Sequence, residues 1–500
     1  DTVTVRWPRL NIATWQWVVH SLRENRRLAR GSNWRQRLPK AFQQVREVWA
    51  DRNGPLRESV LEGLGCCTGH SPEMLDLAWN MLDRVSIDDL QQAATCPFVQ
   101  GVKGEFLQFD GLPGKVRYFQ DGRLRNLVTR ARLQSRGYRE GRWGLQRRSA
   151  EMVLGFSAGS FPGAGLLLVL LSLASVAEEG PDPPAVVVNG SAQESLFTPM
   201  ALSTLELADP ALVATVAVTL WDSTDEVLRE YLVGQADLVL AAGCDEPMAE
   251  VRRAAERITE WSKPVRFHQR GHRVHLTTVG RESLAVDAGE PESGDPLLNV
   301  VALLASLDVV LGCQQGCQCS GVHFVEVGGG EQYHSLEAYC QEVVGSLRLL
   351  NDIAPMDVAK SGLRDRSPEH DVSPPIEDAR VFTTQDDGFR VVLLSPGPTP
   401  DGLRAIVDNC HGGEVFVIPV EDVMAIPEGY LSHLGAERLK ATSVALGSLD
   451  DKDGDGRLLD YVEALGVVGV QSIRTVGRGA FPLGSYPWDG LIPVDLTMER

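Results

Sequence analysis

Residues 185–242 read AVVVNGSAQESLFTPMALSTLELADPALVATVAVTLWDSTDEVLREYLVGQADLVLAA, and their alternation decides the fold. Short apolar runs give way to longer stretches with helical spacing. The pattern predicts a strand over Ala185 to Val188, a helix to Ala208, a strand over Leu212 to Leu220, a helix over Thr224 to Val233 and a strand over Ala236 to Ala242. A helix over Pro247 to Ile258 and a strand near Val265 continue the series. Strands and helices in alternation build a parallel sheet with crossover helices, so the chain belongs to the α/β class. Such sheets hold ligands at the carboxyl ends of their strands, which singles out the turns Asn189 to Gln193 and Gly243 to Glu246.

Upstream, the uncharged run Gly163 to Ala177 is shorter than the roughly 20 residues a bilayer span requires and reads as a buried helix. Residues 10 to 95 read as helical, with Val45, Val48 and Trp49 at helical spacing and breaks around Thr68 to Pro72. Downstream, a strand over His272 to Val279 precedes a helix opening on Asp295 and Pro296, an N-cap and first-turn pair. That helix delivers a cysteine cluster. Residues 356 to 380, rich in Ser, Pro, Asp and Arg, read as an exposed connection.

Composition narrows the function classes. Five hundred residues with 43% apolar content and 49 glycines suit two or three packed domains. The net charge of −19 repels a polyanion, so nucleic acid is not an expected partner. Nine cysteines without framework spacing fit reduced thiols, and the amino end lacks the basic head and apolar core of a secretory leader. A cytoplasmic location is expected. The start at Asp1 rather than Met fits an excised module.

Three segments carry candidate chemistry. Residues 312–326, GCQQGCQCSGVHFVE, place Cys313, Cys317 and Cys319 in a loop between an apolar helix and an apolar strand. A loop thiol beside backbone N–H dipoles gains thiolate character and becomes a nucleophile; the alternatives are small-residue packing and a metal cluster, whose usual spacings the three cysteines miss. No metal site is expected there. The second, Gly155-Phe-Ser157-Ala-Gly159, matches the G-x-S-x-G elbow of serine hydrolases, although Ser160 to Gly163 intervene before the helix. The third, Asp451-Lys-Asp453-Gly-Asp455-Gly456, resembles the start of a calcium loop, but its twelfth position is Val462, so an acidic surface turn is the simpler reading.

In order, these segments resemble the aldehyde dehydrogenase superfamily and within it the acyl-CoA reductase branch of LuxC-type fatty acyl-CoA reductases. Thr68-Gly-His-Ser-Pro-Glu-Met74 resembles the helical prelude of the family, and Ala158-Gly-Ser-Phe-Pro-Gly163 its A-G-N-V-P-G turn. Gly271-His272-Arg273 resembles its strand entry. Gln314-Gln-Gly-Cys317 with Glu326 resembles its Q-x-x-C loop and trailing strand, and Tyr486-Pro-Trp-Asp-Gly490 its terminal signature. The resemblance selects Cys317 as nucleophile.

The resemblance further implies a Rossmann-type cofactor domain, an α/β catalytic domain and a small β arm. Its expected divisions are a helical part over 1–103, an arm over 104–150, the cofactor domain over 151–272, the catalytic domain over 273–478 and a carboxyl arm over 479–500. It implies NADPH as cofactor, with NADH as the second candidate, held by Asn189, Gly190, Ser191, Gly243, Cys244, Asp245 and Glu246. Catalysis would fall to Cys317, to Ser160 at the family's oxyanion asparagine, and to His272 and His323 as proton donors. Asn189 stands where the superfamily has an adenosine-binding lysine, and Gln269 to His272 carries no carboxylate where hydrolytic members have a glutamate base. That absence favours reduction over hydrolysis. The implied substrate is an acyl-CoA or an acyl or peptidyl thioester on a carrier protein, as in a reductive off-loading module, and the arm implies a homo-oligomer. A serine hydrolase working through Ser157 and a silent scaffold are the rival classes.

Overall fold

The computed structural model describes residues 7–30, 33–51, 54–68, 70–83, 87, 106–108, 115–117, 150–159, 163–174, 182–222, 224–243, 245–270, 273–286, 297–310, 319–355, 379–383, 389–409, 413–435, 438–446, 455–470 and 472–478. Four helices open the chain: α1 (Ile12–Leu28), α2 (Trp34–Ala50), α3 (Pro55–Thr68) and α4 (Pro72–Asp83). In the expected arm, strands β1 (Phe106–Gln108) and β2 (Lys115–Arg117) pair antiparallel.

Five parallel strands follow: β3 (Met152–Phe156), β4 (Ala185–Asn189), β5 (Val216–Thr219), β6 (Leu238–Ala242) and β7 (Arg266–Arg270). Their spatial order is β5-β4-β3-β6-β7, so the direction of winding reverses between β3 and β6. Alternate residues fill opposite faces. Val153, Val186, Val188 and Leu238 pack under the helix Ala164–Ala174 and the helix Phe197–Ala208. Met152, Leu154, Val187 and Val239 pack against Trp15 and Val19 of α1 and against the helices Glu226–Gln235 and Asp245–Trp261. A sheet buried on both faces needs the near-continuous apolar strands seen here.

The second sheet has the order β10-β11-β12-β9-β8-β13-β14. Its strands are β8 (Val274–Val279), β9 (Ser320–Glu326), β10 (Ala379–Thr383), β11 (Arg390–Leu394), β12 (Glu414–Val420), β13 (Leu439–Ala445) and β14 (Ser472–Thr475). Only β10 runs antiparallel to its neighbour. The helices Leu297–Val310 and Leu336–Ile353 share one core with Val279, Val325, Val391 and Val417. Met74 of α4 joins that same core and ties the helical front end to the second sheet.

Two expectations are corrected. Strand β3, at the centre of the first sheet, falls where no strand was expected. Gly155 interrupts its apolar run because helix and sheet close tightly there: a Cβ would lie 3.3 Å from Val188 Cγ2 and 3.4 Å from Leu168 Cδ1. The strand expected over Leu212 to Leu220 is confined to β5, because Asp209 caps a helical turn over Pro210–Val213, its carboxylate accepting from Leu212 N at 3.1 Å. Among the described residues no helix is long and apolar enough to cross a membrane.

Candidate active site

The carboxyl ends of β4, β3 and β6 lie side by side at the point where strand order reverses. This edge collects Asn189, Gly190 and Ser191 from β4, Ser157 to Gly159 from β3 and Gly243 from β6. The helix Asp245–Trp261 begins just beyond Gly243, so its N-terminus lies at the same edge. Cys244 lies outside the described residues, as do Ser160, His272, Cys313 and Cys317.

Each described residue here has a local reason for its place. Ser157 N–H donates to Asn189 O at 3.0 Å, which prolongs the β3–β4 ladder by one residue. A nucleophile elbow needs a sharp turn directly into a helix, yet the helix after Ser157 starts only at Ala164. Asn189 is 7% exposed, and its side-chain carbonyl accepts from Trp221 N–H at 3.1 Å, bridging the ends of β4 and β5. Ser157 Oγ and Trp221 Nε1 are buried polar atoms with no hydrogen-bond partner among the described residues. Trp221 packs against Trp15 and Phe156, whereas Ser157 Oγ stands at the end of β3, where an orphaned hydroxyl fits a polar ligand lying across the edge.

A residue that sequence reasoning passed over organises this edge. Glu194, in the turn Ala192–Glu194, is 1% exposed. Its Oε1 accepts from Gly163 N at 3.3 Å and from Thr198 N at 2.9 Å, while Thr198 Oγ1 donates to the carboxylate at 2.9 Å. Thr198 Oγ1 in turn accepts from Leu166 N at 3.0 Å, so Glu194 and Thr198 together cap the helix Ala164–Ala174. The available signal was a Glu four residues ahead of Thr198 at a helix start.

Burial pushes the Glu194 carboxyl up to about 7, against the pull of its hydrogen bonds from Thr198 and Gly163. A carboxyl whose folded value exceeds its unfolded one stabilises the fold most below the unfolded value near 4.5 and loses that contribution as pH rises through about 7. The loss approaches about 3 kcal/mol. Glu194→Gln removes the titration, so its melting temperature relative to wild type should climb between pH 5 and pH 8. Parallel melting curves for the two proteins across that range would sink the assignment.

In sequence the cysteine segment falls between the helix Leu297–Val310 and β9 of the other sheet. Its described flanks are anchored in a buried polar layer. At the helix end, Asp308 accepts from Ser443 Oγ at 2.6 Å and from Gly477 N at 2.8 Å. Ser443 Oγ lies 2.9 Å from His275 Nε2, and since it donates to Asp308 its lone pair is left to accept from the imidazole N–H. At the strand end, Ser320 Oγ accepts from Thr277 Oγ1 at 2.8 Å. Asp308, Ser320, His275, Thr277 and Ser443 are all buried, so this polar layer fixes the end of the helix Leu297–Val310 and the start of β9.

His323 does not have the surroundings expected of a proton donor. It is fully buried within β9, its Nδ1 lies 3.0 Å from Tyr339 OH, and burial pushes it down to about 3. At neutral pH the ring is uncharged, so it has no imidazolium proton to give. Glu326 ends β9, about 20 Å along the strand from Ser320 at about 3.3 Å per residue. It is fully buried and paired with Arg457. Asp455 opens the helix Asp455–Val468, whereas Asp451 and Asp453 lie outside the described residues.

A family model described as acyl-CoA reductase (LuxC) matches residues 182–497, more than half of the chain. The chain belongs to the acyl-CoA reductase (LuxC) family. No curated protein matches it. Among solved structures it resembles an NAD-dependent benzaldehyde dehydrogenase from Corynebacterium glutamicum, with 14% identity, TM-score 0.57 and coverage of 95% of this chain and 88% of that one. Aldehyde dehydrogenase 21 from Physcomitrella patens in complex with succinate gives 11% identity, TM-score 0.58 and coverage of 98% and 90%. An NADP-dependent glyceraldehyde-3-phosphate dehydrogenase from Bacillus halodurans C-125, complexed with NADP, gives 16%, 0.50, 92% and 83%. At such identities the likeness shows an aldehyde-dehydrogenase fold, with its Rossmann-type sheet. An acyl-CoA reductase on this fold is an oxidoreductase that reduces acyl groups to aldehydes.

Proposed function

We propose that this acyl-CoA reductase takes an acyl thioester, on coenzyme A or on a carrier protein, and releases the aldehyde through a thioester on Cys317. The observation that carries the reading is the family match over residues 182–497, which spans the Gln314-Gln-Gly-Cys317 loop. The Cys317 thiolate attacks the thioester carbonyl carbon, the bond from that carbon to the carrier sulfur breaks, and the carrier leaves as a thiolate that takes a proton from solvent. Ser160 Oγ and the Cys317 N–H are the donors assigned to the oxyanion in both halves of the reaction. A nicotinamide cofactor, when bound, would supply the hydride for the second half, in which the bond from the acyl carbon to Cys317 Sγ breaks and the aldehyde leaves with Cys317 restored as thiolate.

The cofactor belongs at the switch-point edge. Gly243 and the N–H groups opening the helix Asp245–Trp261 would receive its pyrophosphate, since a helix start favours an anion. Gly190, Ser191 and Ser157 Oγ would line the remainder, and NADPH and NADH are the two candidates. Asn189, committed to Trp221, brings no charge to that end. The stretch Gln269 to His272 offers no carboxylate to activate water, so the acyl group on Cys317 survives until hydride arrives. His272, at the strand entry, is the remaining candidate for returning a proton.

The test is wild-type oxidation of NADPH and NADH with a panel of acyl-CoA and carrier-bound thioesters, with trapping of aldehyde. Stoichiometric cofactor oxidation, aldehyde and free thiol are expected, and Ser157→Ala should keep forming aldehyde. The orphaned Ser157 Oγ is what sustains the hydrolase reading. Thiol release with free acid and no cofactor oxidation, lost in Ser157→Ala, would establish it instead.

A further inference from the structure

The first sheet winds outward from β3 to β4 to β5 before it reverses to β6, so β4 is its second strand and Asn189 the last residue of that strand. In parallel sheets of this order the end of the second strand meets the adenosine ribose of a bound dinucleotide. A carboxylate there takes the 2′-hydroxyl of NADH, and an arginine nearby takes the 2′-phosphate of NADPH. Asn189 is neither acid nor base, and its orientation is fixed. Trp221 N–H can only donate, so the carboxamide oxygen faces it and Nδ2 is turned away from β5. The side chain is buried, yet Nδ2 has no acceptor among the described residues. A buried amide with its oxygen bonded and its nitrogen unpaired is a donor left for a ligand oxygen.

The charges beside that donor are acidic. Asp222, next after Trp221, is exposed and accepts from Thr224 N–H at 2.9 Å and from Thr224 Oγ1 at 2.7 Å. The Thr224 hydroxyl and N–H, with the Arg9 charge adding to their pull, hold the Asp222 carboxyl below the ordinary carboxylate range, so it is ionised at neutral pH. Asp225 caps the helix Glu226–Gln235 by accepting from Leu228 N–H at 3.0 Å, and Glu226 follows it. The described cations at this end are already matched to carboxylates: Arg9 acts on Asp222, and Arg257 pairs with Glu226 and Glu230.

We propose that Asn189 and Asp222 make this enzyme select NADH over NADPH. Asn189 Nδ2 donates to a hydroxyl of the adenosine ribose, and the Asp222 carboxylate opposes a phosphate on the same ribose. Both roles rest on the switch-point edge being the cofactor site. A hydroxyl asks for one neutral donor, which Asn189 supplies. A phosphate monoester brings a charge of about −1.5 to −2 at neutral pH. One amide leaves most of its oxygens unpaired, and Asp222 sets a like charge where such a group calls for an arginine.

Calorimetric titration of the wild type with NADH and with NADPH reads the preference without turnover. NADH should bind about tenfold more tightly. The gap should narrow as ionic strength rises from about 0.05 M to about 0.5 M, because salt screens a repulsion between exposed charges. Asp222→Ser keeps a hydroxyl that can accept from Thr224, and should tighten NADPH about three- to tenfold while NADH stays within about twofold. Asn189→Asp keeps an oxygen for Trp221 N–H and turns the donor into an acceptor. It should leave NADH within about fivefold, since a carboxylate also takes a ribose hydroxyl, and weaken NADPH about tenfold further. NADPH binding as tightly as NADH to the wild type, or an Asp222→Ser that leaves their ratio unchanged, would overturn the proposal. Should Asn189→Asp fail to fold, Asp222→Ser and the salt series decide, since Asp222 is exposed. A wild type that binds neither dinucleotide refutes the cofactor site itself.

Discussion

Cys317→Ala should abolish aldehyde formation, by about four orders of magnitude or more, while leaving the melting temperature and cofactor binding close to wild type. Removing a nucleophile deletes the covalent route entirely, and the stretch Gln269 to His272 carries no carboxylate to activate water in its place. Cys319, partly buried at the entry to β9, serves as the internal control, and Cys319→Ala should cost less than about tenfold. The check has two parts. Aldehyde is quantified under saturating NADPH, and the protein is mixed with acyl-CoA in the absence of reductant, where wild type should gain the mass of one acyl group and release one thiol. An adduct that maps to Cys313 or Cys319, or aldehyde from Cys317→Ala, would remove Cys317 from the mechanism.

The legible part of this chain was the part whose periodicity is imposed by burial on both sides. Val186 to Val188 and Leu238 to Ala241 pack against helices above and below the sheet, so they had to be apolar throughout, and they read as strands. Strand β3 was hidden because Gly155 weakens its apolar run, and the reason for that glycine, contact with Leu168 and Val188, exists only once the fold is formed. The strand before Trp221 was overdrawn because Asp209 and Pro210 supply a helix start that competes with the β-branched residues after it.

In the candidate site, glycines and turns were legible while ionisable side chains were not. His323 read as a proton donor because a sequence does not print burial, and β9 places it in the sheet interior. Glu194 passed unnoticed for the converse reason. A glutamate in a polar turn looks solvated, and only the packing of the turn against the helix Ala164–Ala174 closes water out and turns its oxygens onto Gly163 and Thr198.

Glu326 is the other carboxylate whose meaning changed, and it carries the largest expected effect on stability. The side chain is fully buried and meets three groups: the Arg457 guanidinium, Arg281 N–H at 3.0 Å and Arg281 Nε at 3.8 Å. Arg457, half-buried, pairs with Glu282 as well and approaches Asp422 at 3.6 Å, so one guanidinium joins the ends of β8, β9 and β12 to the helix Asp455–Val468. Its acidic partners raise its own affinity for the proton further, and it stays charged at every accessible pH. Arg457→Ala should therefore cost about 3–5 kcal/mol of stability, because it leaves a carboxylate in a nonpolar interior with too few partners. Arg457→Met with Glu326→Gln should recover most of it, since removing both charges removes the desolvation penalty that the single variant exposes. Denaturant unfolding of the two variants beside wild type measures the difference. A single variant as stable as the double one would mean that Arg281 alone holds Glu326.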